Sequence, residues 1–125
     1  MMNVRNIIAV LLSVFMLAAC HNDETELFTD ATLTLAAPEG MEIVQTQGNA
    51  VFTNINNSLR TSSSEWDASQ MRLSVERGSY SILVEGRVRC RTAQGEETIR
   101  QFRAHTDFVS MVDLRSSVTL NVEFL

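Results

Sequence analysis

Lysine is absent from this chain of 125 residues: all ten basic residues are arginine, and they face fifteen acidic ones. A net charge of −5, with no basic run, lacks the electrostatic footprint that broad nucleic-acid binding requires. Nothing in the composition accounts for the choice of arginine over lysine. One proline and five glycines are too few for a collagen-like or low-complexity disordered chain. With only two histidines and two cysteines, none at ligand spacing, the chain cannot assemble a structural zinc site. No acidic run alternates around a turn glycine as a calcium loop does. No metal and no cofactor is expected. The longest apolar run, Ile7 to Ala19 broken only by Ser13, would make about 20 Å of helix against a bilayer core of about 30 Å. It is too short to span.

What the N-terminus does hold is Arg5, that short apolar run, and small residues before Cys20, the layout of a secretory signal. Leu17-Ala18-Ala19-Cys20 resembles the lipobox of bacterial lipoproteins. The resemblance implies that residues 1–19 are removed and that Cys20 becomes an acylated N-terminus, leaving 125 − 19 = 106 residues. Two or more acyl chains make a stable membrane anchor. The next residues, His21-Asn22-Asp23-Glu24-Thr25-Glu26, are polar and acidic. Such a cluster resembles the surface-export signal of Bacteroidota lipoproteins, which favours the outer membrane and its cell-surface face over the periplasmic one. Residues 20–29 then read as a tether of about 35 Å at full extension.

From residue 30 to 125 the pattern is that of strands. Leu33 and Leu35 alternate with Thr32 and Thr34 before Pro38-Glu39-Gly40. Asn49 to Ile55 forms a second run and Ser58 to Thr61 a weaker third. Met71, Leu73 and Val75 alternate up to Arg77-Gly78, and Val118, Leu120, Val122 and Phe124 line one face of a last strand. Between them, Tyr80, Ile82, Val84, Val88 and Cys90 share one face, with Gly86 in the same row as an expected bend or bulge. Glu85, Arg87, Arg89 and Arg91 share the other. This is a sheet wet on one side. The expected fold is all-β, a single antiparallel β-sandwich of about seven strands.

The Gln94-Gly95 turn lets the next pairing be worked out. A two-residue loop sets Val88 against Gln101 and Arg87 against Phe102. A three-residue loop pairs Val88 with Phe102, Gly86 with Ala104 and Ile82 with Phe108, so apolar residues stay on one face. That register costs an Arg87–Arg103 like-charge pair, and core burial outweighs it.

The stretch Leu73-Ser74-Val75-Glu76-Arg77-Gly78-Ser79-Tyr80-Ser81-Ile82-Leu83-Val84-Glu85-Gly86 resembles a signature of prealbumin-like and carboxypeptidase-regulatory-like β-sandwiches. There a strand ends in a turn and a tyrosine opens an alternating strand; here Arg77 stands where proline is usual. Together with the lipobox it is similar to small outer-membrane lipoproteins of Bacteroidota. It implies a prealbumin-like or Ig-like sandwich and no particular activity.

Few residues carry chemistry. With Cys20 acylated, Cys90 has no disulfide partner, and its place on the core face reads as a buried thiol. His105 is the one candidate base for a hydrolase, and no serine lies in a Gly-x-Ser-x-Gly setting. Glu65 and Asp67 flank Trp66 on a loop, where two carboxylates rarely hold the separation that glycoside hydrolysis needs. An enzyme is not expected. Trp66, the only tryptophan, reads either as a plug on the sandwich or as an aromatic that stacks on a glycan or partner. Arg87, Arg89, Arg91 and Arg103 read either as a solvated face or as a contact surface for carboxylates, sulfates or phosphates. The expected role is a non-catalytic binding or assembly module for an envelope protein partner; the alternative is a carbohydrate- or anion-binding surface module. Membrane contact is through the anchor, and no nucleic-acid partner is expected.

Overall fold

A computed structural model describes residues 27–125. Strands alternate with short turns throughout: β1 (Phe28–Ala36), β2 (Met41–Asn54), β3 (Arg60–Ser63), β4 (Gln70–Glu76), β5 (Gly78–Thr92), β6 (Glu97–Met111), β7 (Arg115–Asn121) and β8 (Glu123–Phe124). They form two sheets, ordered β4-β1-β7 and β3-β2-β5-β6-β8. The all-β sandwich expected from the alternation is what the chain forms. The signal segment, Cys20 and most of the tether lie outside the described residues.

One pairing departs from the antiparallel plan. β1 and β7 run parallel, Asp30 beside Arg115 and Leu35 beside Leu120, while all other named pairs are antiparallel. A parallel pair needs a long connection, and here nearly the whole domain lies between the two strands. β1 also begins ahead of the Asp30 start read from the sequence. Thr29 turns inward, almost fully buried, and its hydroxyl shares a 2.8 Å hydrogen bond with that of Ser116 on β7.

The core row of β5 is as its alternation predicts: Tyr80, Ile82, Val84, Val88 and Cys90 are buried. Phe52 and Phe102 join them from the flanking strands, and Leu33, Met71, Val75 and Leu120 close the core from the smaller sheet. Phe52 meets Tyr80 edge-on, ring centroids 6.4 Å apart, a geometry worth about 1 kcal/mol beyond area burial. The Tyr80 hydroxyl donates to the Glu76 carbonyl at 2.6 Å. That bond spans the step from one sheet to the other, in the manner of the tyrosine corner of sandwich folds.

Gly86 is not a bulge. It faces Gly48 directly in the β2–β5 register. A Cβ on Gly86 would overlap the Gln47 carbonyl oxygen and lie 2.5 Å from Gly48 Cα; one on Gly48 would lie 2.7 Å from the Glu85 carbonyl oxygen. Two long strands approach so closely at this pair that only hydrogen fits. The register shifts fall elsewhere, between Ile43 and Gln45 in β2 and between Tyr80 and Ile82 against β6.

The β5–β6 hairpin corrects the register worked out above. Val88 faces Arg100, Gly86 faces Phe102 and Val84 faces Ala104, two positions from the expected partners. The loop does have three residues, but they are Ala93 to Gly95. Thr92 pairs across it, its N–H bonding the Glu96 carbonyl at 2.9 Å. Gly95 takes φ +85°, the left-handed last position such a loop demands. A slide of two preserves the faces, so Phe102 and Ala104 remain buried. The Arg87–Arg103 pair does not form; Arg103 faces Glu85. Phe108, expected opposite Ile82 in the core, is 64% exposed. The irregularity between Thr106 and Val109 inserts an extra residue in β6 and turns it outward.

The last row is also split. Val118 and Leu120 sit on β7 and Phe124 on β8, because the chain changes sheets at Val122. β3 forms later than expected, at Arg60–Ser63, after a turn in which Ser58 takes φ +61°.

Candidate functional site

The outer face of the five-stranded sheet collects the candidate arginines. Because even-numbered β5 residues from Tyr80 to Cys90 fill the core, Glu85, Arg87, Arg89 and Arg91 are exposed. Past its bulge, β2 places Gln45, Gln47 and Asn49 beside them; β6 contributes Glu97, Ile99, Gln101 and Arg103. The register yields four rows across three strands: Glu42–Arg91–Glu97, Gln45–Arg89–Ile99, Gln47–Arg87–Gln101 and Asn49–Glu85–Arg103.

The rows are not equivalent. Arg91 is ion-paired to Glu97 at 2.9 Å. That hydrogen bond, with the Glu97 and Glu42 charges, holds its guanidinium still more firmly protonated. Arg103 stands between Glu85 and Glu123 in the register. Arg87 and Arg89 instead have glutamines or Ile99 across from them; among the described residues only Arg91 has a carboxylate within ion-pair reach, and Arg87, Arg89 and Arg103 have none. Two residues apart on one strand, their Cα atoms are spaced by about 7 Å. The surface is flat and open, with amide and guanidinium donors around the 64%-exposed side chain of Ile99. It can grip carboxylate or sulfate groups on a large partner, and its hollow of about 40 Å³ between Gln45, Gln47, Arg87, Arg89 and Ile99 has room for little more than a water molecule.

Trp66 is elsewhere. It lies half-buried in the β3–β4 crossover, packed on the core, its indole N–H donating at 2.9 Å to the Gly48 carbonyl. The Thr46 hydroxyl ties the same crossover down through the Ala68 carbonyl at 2.8 Å. The plug reading describes this geometry. Glu65 and Asp67 flank it in a shallow hollow with Gln70 and Arg72.

The pairing of β5 with β6 brings Ser81, His105 and Asp107 around another shallow hollow, a proximity that linear spacing could not reveal. Among the described residues no hydrogen bond joins these three side chains, as a nucleophile, base and orienting acid would require. Cys90 is fully buried, and burial, opposed only by the Arg100 charge, raises its thiol pKa. It therefore stays a protonated, unreactive thiol. The described residues contain no group of three His, Cys, Asp or Glu side chains placed to hold a metal ion.

Neither the family-level sequence comparison nor that against curated proteins yields a match. In fold, the chain is similar to a DUF4876 family protein from Bacteroides thetaiotaomicron VPI-5482, known from a crystal structure. The TM-score is 0.58 at 16% identity; the alignment covers 78% of this chain and 23% of that protein. This likeness is one of fold, and the chain spans about a quarter of that protein's length.

Proposed function

We propose that this protein is a lipid-anchored outer-membrane lipoprotein of Bacteroidota type, displayed at the cell surface through Cys20, and a non-catalytic binding module for an envelope protein partner. The contact surface is the outer face at Arg87 and Arg89. The observation that carries this reading is the contrast within one face. Arg91 has an acidic partner and Arg103 has acidic neighbours in its row, while Arg87 and Arg89 stand beside glutamines and the exposed Ile99. Arginine is enriched at protein interfaces relative to the rest of the surface. The Tyr80 hydroxyl bond to Glu76, four residues upstream, is compatible with a prealbumin-like or an Ig-like sandwich alike.

Crosslinking in intact cells, followed by purification of the lipidated protein, tests the proposal. One membrane protein should be captured by wild type and lost from the Arg87→Glu/Arg89→Glu variant, while Arg72→Glu, on the other sheet, captures normally. Equal capture by wild type and the double variant would refute the assigned surface. The same two arginines also support the second reading, an anion- or carbohydrate-binding module for acidic glycans. Trp66 contributes less there, because its indole N–H is committed to Gly48. A signal on sulfated or uronate glycans, lost in the double variant and without a protein crosslink, would select it.

A further inference from the structure

Seven of the nine large apolar side chains exposed among the described residues belong to one end of the sandwich. β1, β5 and β7 begin at that end, and β2, β4 and β6 finish there. The pairs Phe28–Glu76, Asp30–Arg115, Asn54–Tyr80 and Gly78–Met111 fix this. Its rim carries Phe28, Ile55, Leu59, Phe108, Val112 and Leu114. Leu27, 62% exposed, is where the chain joins the fold. Single exposed apolar residues are ordinary; a cluster confined to one end is not.

The rim is constructed rather than frayed. Asn54, buried at the end of β2, accepts from the N–H groups of Asn56 at 2.9 Å and Asn57 at 3.3 Å through its side-chain oxygen. Its own backbone N–H bonds the Leu59 carbonyl at 2.9 Å, closing the loop that presents Ile55 and Leu59. The β6 irregularity turns Phe108 out of the core, and the Thr106 hydroxyl bonds its carbonyl at 3.1 Å. Leu114 is held by its carbonyl, which accepts from Asp30 N–H at 2.9 Å.

We infer that this apolar rim rests on the lipid bilayer surface, beside the acyl chains of Cys20. The inference depends on the lipidation reading above. Seven residue steps separate Cys20 from Leu27, at most about 25 Å when extended. β5 alone, at fifteen residues, is about 50 Å long. A domain held by so short a tether keeps the tether end nearest the membrane. Arg60, Arg77 and Arg115 are outnumbered there by Asp30, Glu76, Asp107 and Asp113, so the contact is apolar rather than electrostatic.

The test uses the acylated mature protein in phosphatidylethanolamine/phosphatidylglycerol vesicles. An environment-sensitive fluorophore is placed through Leu59→Cys, Phe108→Cys or Leu114→Cys, and through Gln94→Cys at the opposite end. Cys90, being buried, stays unlabelled, and circular dichroism shows that each variant keeps the strand spectrum. Doxyl-labelled lipid should quench the rim labels about threefold or more beyond the Gln94 label, with a blue shift on vesicle binding. Intact mass separates the two ways to fail. Absence of acyl chains on Cys20 overturns the anchor. Rim labels on acylated protein that quench no more than the Gln94 label overturn the inference alone. A blue shift that ignores doxyl lipid and grows with protein density would mean that a second copy covers the rim, which also overturns it.

Discussion

At the end of the sandwich far from the tether, the chain reverses through Glu39-Gly40 and Gln94-Gly95, where glycines at φ +83° and +85° make tight turns with polar tips. At the tether end, the β2–β3 and β6–β7 connections expose Ile55, Leu59, Val112 and Leu114, and the left-handed position is taken by Ser58. Each end holds one non-glycine left-handed residue, Ser58 at the tether end and Ala68 at φ +52°, just ahead of β4, at the other, but the far turns themselves expose no large apolar side chain. What sets the tether end apart is that it leaves its large apolar side chains outside. The difference between the ends therefore lies in exposed apolar area and not in backbone strain.

That comparison can be broken at its middle. Gly48 and Gly86 join the halves of the long strands, and neither tolerates a Cβ. Gly86→Val should lower unfolding free energy by about 3 kcal/mol or more, read from denaturant melts. A change under about 1 kcal/mol would mean that the strands part easily there. At the tether end, Asn54→Ala removes the oxygen that organises the Ile55–Leu59 loop. It should cost about 1–2 kcal/mol and increase amide exchange in that loop. The smallest effects sharpen the contrast. Gly95→Ala should destabilise by about 1 kcal/mol, whereas Ser58→Gly should be neutral or stabilising by a similar amount. If Ser58→Gly destabilised as much as Gly95→Ala, the left-handed serine would be held by contacts that glycine cannot supply.

The alternation of β5 sufficed to read the core and the arginine face, because a sheet with one wet side writes its pleat into the residues. What the sequence left illegible was irregular. The bulge that expels Phe108 is one extra residue in a strand that otherwise alternates, and the choice between hairpin registers rested on which loop position Gly95 would occupy. The β1–β7 parallel pair joins residues more than eighty positions apart, so no local pattern announces it. The proposed contact surface was half legible: four arginines could be placed on one face, but which of them have acidic residues in their rows emerges only from the true register. The apolar rim was hidden for the same reason, since its residues come from four separate segments.

The orientation of the sandwich in the envelope follows from the proposed anchor at Cys20. Metabolic labelling with a palmitate analogue, comparing wild type with Cys20→Ala, tests this most directly. The account predicts strong labelling of wild type and none of the variant, with the unlabelled variant released from the membrane fraction. Equal labelling of both proteins would contradict it.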